Sequence, residues 1–428
     1  MSLIPPPLRW QVQRLARLLR GGLRSLQARG PMQTLRHIPK RLGWGATALP
    51  PLPCSPDNRW VLVMDAQIPD PRRDSGSVRL LALCQLLQED GLTIAFAPHS
   101  GTADNDERQR LHAAGIHLLG THGGIALPRW LQAHHQRVQA VILCHHDVAA
   151  VHLPLVRQFA PGVPIAFDTV DLHYLREQRH AELLGDAAAL AAAQRTRQAE
   201  LALVASADIT YVVSPVEADL LVQACPQARI AVLSNIHALQ PPGGGPDTRS
   251  GVLFVGGWGH PPNRDALAWL TQDIWPRVRE RMPALTLHLV GDLPDDERIR
   301  LSGLPGVIAH GRVDTLDTLM HHCRVSIAPL RAGAGVKGKV NSAMSYGLPV
   351  VLTPVAAEGM YIVDGQDALI GDTADALATA VIALHHDDVL WTQLAAAGRQ
   401  NVATHFSTGA ARAALHRLLA LSPVVPDR

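Results

Sequence analysis

From residue 60 onward, short apolar runs of strand length alternate with amphipathic stretches of helix length, the pattern of parallel sheets wrapped by helices. One set of strands is predicted at 60–64, 92–98, 140–143, 165–167, 209–213 and 230–233, with helices at 77–89 and 181–205 between them. A second set is predicted at 252–255, 285–290, 307–309, 325–328, 350–352 and 368–370. The Pro-Gly stretch 241–246 parts the two sets. The expected architecture is therefore α/β, with two doubly wound, Rossmann-like parallel-sheet domains, 57–240 and 247–405, facing a cleft. In such open sheets ligands bind beyond the carboxyl ends of the strands, so chemistry is sought in the loops that follow each strand.

A chain of 428 residues, 47% hydrophobic, is long enough to bury two cores. Its net charge of +2 hides an asymmetry: residues 1–50 hold nine Arg or Lys and no Asp or Glu, leaving 30 basic against 37 acidic residues. A mildly acidic body argues against a nucleic-acid partner. In the arm and linker, 1–56, Trp10, Leu15, Leu18, Leu19, Leu23 and Leu26 recur at near-helical spacing among Arg14, Arg17, Arg20 and Arg24, interrupted by Gly21-Gly22. Three readings of this arm are open: contact of residues 1–45 with an anionic membrane, a helix packed on the body, or a disordered basic tail. No apolar run reaches the roughly 18 residues of a membrane span, and no signal-peptide core is seen. Five scattered cysteines without a CxxC pair read as reduced thiols. The expectation is a cytoplasmic protein, lying at the inner face of the membrane if the arm binds there.

The stretch 325–365, VSIAPLRAGAGVKGKVNSAMSYGLPVVLTPVAAEGMYIVDG, carries the most chemistry. It predicts a strand, a loop freed by Gly333 and Gly335, a helix at 337–346 stopped by Gly347-Leu348-Pro349, and another strand. Such a loop aims unsatisfied backbone N–H groups at whatever lies over the helix start, and Lys337 and Lys339 add positive charge there. A nucleoside diphosphate fits this cradle; an ordinary connection with two solvated lysines has the same spacing. Upstream, Phe254-Val255-Gly256-Gly257-Trp258-Gly259-His260-Pro261-Pro262-Asn263 is a Gly-rich turn open to close backbone approach. It is not GxGxxG and no acidic residue follows at ribose distance, which disfavours a nicotinamide dehydrogenase. Asp292 and Arg312, at the next two strand ends, are placed either to contact a base or to be solvated. His145-His146-Asp147 and His385-His386-Asp387-Asp388 lack ligand spacing, so no metal site is predicted.

The turn FVGGWGHPPN, the strand end Leu287-His288-Leu289-Val290-Gly291-Asp292 and the run GAGVKGKVNSAMSYGLPVV together resemble retaining glycosyltransferases of the GT-B fold, family 4. Asp65, Pro69, Pro71, Arg72, Asp74-Ser75-Gly76-Ser77 and Arg79 are similar to the first glycine loop of the acceptor-side domain in a bacterial subgroup. Phe167-Asp168-Thr169-Val170-Asp171-Leu172-His173 resembles its mid-domain strand end. The resemblance spans about 60–406. It implies that Gly256, Gly257 and Asn263 form a turn against the pyrophosphate of a nucleotide sugar, that Lys337 and Lys339 neutralise it, and that Gly333 and Gly335 let its oxygens reach the helix start. It places Asp74, Ser75 and Gly76 on the acceptor side and makes 406–428 a closing helix returning to the first domain.

Two glutamates frequent in that family are replaced here by Ala334 and Ser342. Asn341 and Glu358 are the remaining candidates to contact nucleotide and sugar, although Glu358 fits equally as a capping carboxylate. Asp168, Asp171 and His173 are candidates to orient the acceptor hydroxyl or take its proton, the two aspartates fitting equally as helix caps. Lys337 would meet the charge developing on the departing diphosphate, so neither cofactor nor metal is called for. The function implied is transfer of a hexose-type sugar to a glycan or lipid-linked acceptor in cell-envelope or exopolysaccharide assembly. A sugar-nucleotide epimerase of the same shape and a catalytically silent binding subunit are the alternatives.

Overall fold

The apolar runs pair as two wholly parallel sheets. The computed structural model describes residues 50–422 apart from 56, 72–73 and 121–126, so the basic arm, the predicted membrane contact at 1–45 and Arg72 lie outside the described residues. The first sheet comprises β1 (Trp60–Asp65), β2 (Thr93–Pro98), β3 (His117–Leu118), β4 (Val138–Cys144), β5 (Ile165–Asp168), β6 (Ile209–Val212) and β7 (Ile230–Val232), in the order β3-β2-β1-β4-β5-β6-β7. The second comprises β8 (Val252–Val255), β9 (Leu287–Val290), β10 (Val307–Gly311), β11 (Val325–Ala328), β12 (Val350–Leu352) and β13 (Leu369–Ile370), in the order β10-β9-β8-β11-β12-β13.

Strand β1 shows why these runs are apolar at nearly every position. Helices cover both faces of its sheet, so Trp60, Leu62 and Met64 enter one core while Val61 and Val63 enter the other. The second core includes Ala411, Ala414, Leu415 and Leu418 from helix Thr408–Leu419. The chain thus returns from the second domain to finish the first. Tyr211 Oη donates to the Ala414 carbonyl at 2.9 Å, and Arg412 pairs with Asp90 at 2.9 Å. The two crossings between domains run side by side, joined where the His237 amide donates to the Phe406 carbonyl at 2.8 Å. Leu415→Ala is expected to lower stability by about 2–5 kcal/mol, read as a reduced urea midpoint.

Two local features differ from the sequence expectation, and a third is an irregularity within a helix. The helix predicted at 181–205 is two helices, His173–Leu184 and Ala187–Ser206. Gly185, at φ 66°, ends the first, and Asp186 caps the second by accepting from the amides of Ala188 and Ala189 at 2.9 and 3.0 Å. Strand β3 is an addition, and its two residues are too short a run to show a pattern. Beyond helix Pro261–Trp269, one π-turn, Leu270–Ile274, precedes helix Trp275–Arg281. Pro276 has no N–H to give the carbonyl four residues back, and the widened turn accommodates it. All five cysteines are free. No helix among the described residues is long and apolar enough to cross a membrane.

Candidate functional site

In each sheet the strand order reverses beside the first strand, between β1 and β4 and between β8 and β11, and the loops leaving these strands meet across the cleft. Helix Gly338–Ser345 starts at the meeting point, and no described side chain caps it. A Cβ on Gly338 would lie 2.7 Å from Ser75 Cβ, so only glycine lets the two loops approach this closely. Gly335, at φ 67°, would place a Cβ 3.2 Å from that of Asp171. Asp74, Ser75 and Gly76 are held in place because Asp74 Oδ1 accepts from the Ser77 amide at 2.7 Å and caps helix Ser75–Glu89. The first domain's glycine loop and the second domain's cradle are therefore direct neighbours.

On the second-domain side, Lys339 Nζ donates to Asn263 Oδ1 at 2.7 Å and lies 5.1 Å from the centre of the Phe254 ring, while Asn263 Nδ2 donates to the Gly257 carbonyl at 3.0 Å. This chain of contacts ties the two Gly-rich segments together. Lys337 is buried, its ammonium folded back on the carbonyls of Ala334, at 3.2 Å, and Gly335. Burial pushes Lys337 down to about 8 against the opposing pull of Glu358 and Glu217. Burial and the neighbouring Lys337 charge push Lys339 down to about 7. Among the described residues, neither lysine has a carboxylate at salt-bridge distance. Lysines drawn out of water without a bound counter-charge gain by accepting whatever anion enters, which stabilises their ammonium forms.

Asp292 takes a supporting position: its Oδ1 accepts from the Trp258 amide at 2.6 Å and shapes the turn. Arg312 is exposed beyond β10. A Cβ on Gly291 would fall 2.0 Å from the Gly256 carbonyl oxygen. Overpacking of this kind costs about 1–3 kcal/mol. Gly291→Ala is therefore expected to displace the Gly256-Gly257 turn and lower the melting temperature, as a thermal melt would show.

The first-domain candidates separate into two groups. Asp168 is fully buried and does not reach the cleft, which corrects its expected catalytic role. Its carboxylate receives Arg79 at 2.7 and 3.1 Å and the Val170 amide at 3.2 Å, and its backbone carbonyl receives the His145 amide at 2.9 Å. His145 and Val170 stand in the left-handed region, at φ 68° and 63°. Such strain costs on the order of 1–3 kcal/mol per residue and persists only where surroundings enforce it. Asp168 and Arg79 are that enforcement, with Arg79 also donating to the Leu233 and Ser234 carbonyls at 2.7 and 3.1 Å.

Asp171 and His173 do stand together at the cleft. His173 Nε2 is 3.2 Å from Asp171 Oδ1, and Arg176 donates to Asp171 Oδ2. Burial raises the Asp171 carboxyl, but the hydrogen bond from His173 and the Arg176 charge outweigh it and bring the group to about 2. Burial lowers His173, and Asp171 more than compensates, so the imidazole ends above its ordinary value. The other His173 nitrogen, Nδ1, lies 2.6 Å from His146 Nδ1.

Glu358 and Asn341 are both engaged by residues of the first domain or the crossing between domains. The Glu358 carboxylate is paired across the domains: Arg179, from helix His173–Leu184, donates to its two oxygens at 2.7 and 2.9 Å and to the Gly333 carbonyl at 2.9 Å. Asn341 is fully buried, and the Asn235 side-chain amide donates to its Oδ1 at 3.3 Å. Sequence reasoning missed Arg179, Glu200 and Glu217. Of these only Glu217 carried a signal, the S-x-x-E spacing Ser214-Pro215-Val216-Glu217 of a capping box. Its carboxylate instead accepts from the Leu172 and Val213 amides at 3.2 and 3.1 Å, and burial pushes it up to about 7.

Two facing Rossmann-like sheets of seven and six parallel strands constitute the GT-B fold. Within it, residues 249–387, in the second domain, match the family model described as glycosyl transferases group 1. No curated protein matches the chain. Among solved structures, HepE of Anabaena in complex with UDP and glucose is similar at 14% identity and a TM-score of 0.62, over 85% of this chain and 100% of that one. Sucrose-phosphate synthase from Thermosynechococcus elongatus is similar at 15% identity and 0.60, over 85% and 98%. TarM of S. aureus, in complex with fondaparinux, alpha-GlcNAc-glycerol and UDP, is similar at 13% identity and 0.53, over 66% of this chain. The chain spans 56% of the length of TarM. At these identities the likeness is one of fold.

Proposed function

We propose that this protein is a glycosyltransferase that moves a hexose-type sugar, with retention of configuration, from a nucleotide-diphosphate donor to a hydroxyl of a glycan or lipid-linked acceptor in envelope or exopolysaccharide assembly. The observation that carries this reading is the buried Lys337 and half-buried Lys339 at an uncapped helix start, facing a Gly-rich turn. A departing nucleoside diphosphate gains negative charge, and fixed cations and helix amides stabilise that charge without proton transfer or a cofactor. The donor-half family match and the UDP in the HepE and TarM structures support the same reading. Asp171, opposite Gly335, would hold the acceptor hydroxyl near the anomeric carbon. The basic arm, 1–45, would hold the enzyme at the inner face of the membrane. Loss of cosedimentation with anionic vesicles on its deletion tests that point.

Calorimetric titration with nucleoside diphosphates and nucleotide sugars tests the donor site. Its pH dependence follows from the lysines: the ammonium forms bind the anion, and both are lost as pH rises through about 7 and about 8. Affinity is therefore expected to fall between pH 6.5 and 9, by up to about tenfold per pH unit for each lysine. Affinity constant across that range would sink the assignment. Ala334 and Ser342 favour a second reading, a silent nucleotide-binding subunit, because carboxylates frequent in the family are missing. Release of nucleoside diphosphate from bound donor separates the enzyme from that subunit.

A further inference from the structure

Three helices of the first domain bring His146, His173 and Glu200 together, each offering one ligand atom within 4.8 Å of the others. His146 and His173 are the first residues of helices His146–Phe159 and His173–Leu184, and Glu200 lies within Ala187–Ser206. We propose that these three side chains bind a transition-series divalent cation, with Zn2+ as its probe. The site uses first-domain residues alone and stands whether or not the nucleotide cradle is correctly read.

The arrangement is that of a ligand set with its supports. His173 Nε2 faces the Asp171 carboxylate at 3.2 Å, which fixes the proton on that nitrogen and leaves Nδ1 to offer a lone pair. His146 Nδ1 stands opposite it at 2.6 Å, with the rings at 89°. Glu200 is fully buried, and its oxygens accept from the His173 and Tyr174 amides at 3.1 and 2.9 Å. Each oxygen keeps a second lone pair. Among the described residues no Lys or Arg forms a salt bridge with Glu200, and buried carboxylates are ordinarily paired or bound to metal. A tetrahedral ion about 2.0–2.1 Å from each nitrogen would hold them about 3.3 Å apart, which side-chain rotation of under about an ångström supplies. Two nitrogens and one carboxylate leave a coordination position for water. Bound there, the cation would tie the three helices together and hold Asp171 in place opposite Gly335.

The test is titration of the chelator-treated full chain with Zn2+ in competition with a chromophoric chelator. One equivalent is expected to bind. His146→Gln and His173→Gln are each expected to weaken binding at least about 100-fold, and Asp171→Asn about 10–100-fold. His288→Gln, in the His288–His310 pair on the other sheet, leaves the affinity unchanged. Absence of stoichiometric binding, or sensitivity to His288→Gln in place of His146→Gln, overturns the proposal. Should a variant misfold, X-ray absorption of the zinc-loaded wild type decides. A shell of nitrogen and oxygen at about 2.0–2.2 Å with imidazole scattering is expected, and a shell of sulfur or of water alone overturns it.

Discussion

Replacing Lys337 and Lys339 together by alanine is expected to weaken nucleoside-diphosphate binding by about 10²–10⁴-fold. Each lysine would give the diphosphate a charge-assisted contact of about 1.5–3 kcal/mol, and tenfold in affinity corresponds to about 1.4 kcal/mol. The fold should survive, because the substitution removes ammonium groups that burial already disfavours in the ligand-free protein. A second readout follows from the same shifts. Both lysines have folded values below the unfolded value of about 10.4, so the unfolded chain binds more protons between about 7 and 10. Ligand-free stability should therefore rise with pH across that window, and the double variant should lose this part of the slope. Thermal midpoints against pH, with and without nucleotide, measure both effects. Wild-type affinity in the double variant would remove the cradle from consideration.

Asp168→Ala should act on the fold and not on the chemistry. It leaves the Arg79 guanidinium buried without its counter-charge, a defect of about 3–5 kcal/mol, and it releases the Val170 amide that helps hold a strained turn. The expected result is a large drop in urea midpoint with turnover per folded molecule little changed below the transition. Asp171→Asn should do the reverse, sparing stability relative to Asp168→Ala and reducing turnover. A stable Asp168→Ala protein with abolished turnover would return Asp168 to the catalytic group.

The elements that could be read in the sequence are those whose information is local. All six strands of the second sheet stand at or within two residues of their predicted places, because strands covered on both faces are apolar without interruption and Gly or Pro punctuates their ends. The run from Gly333 to Val351 was legible for the same reason. What escaped was decided by residues distant in sequence. Nothing beside Arg79 indicates that it meets Asp168, nor beside Arg179 that it crosses to Glu358. Asp168 and Asp171, three residues apart, look alike in the sequence, yet one ends inside the sheet and the other at the cleft. The break between Leu184 and Ala187 was visible as Gly185-Asp186, but the alanine-rich run after it masked the signal.

The helix at Thr408–Leu419 makes the first domain discontinuous in the chain, with the second domain inserted before its closing piece. During synthesis the apolar face that will receive Ala411, Leu415 and Leu418 emerges early and must wait for the whole second domain to be made. At about 5–20 residues per second this delay is on the order of ten seconds. The second domain is continuous in the chain and has its whole core once Phe406 is made, whereas the first still lacks the helix that closes its core. A released chain truncated after Phe406 should accordingly carry one protease-resistant domain and one sheet with an open apolar face.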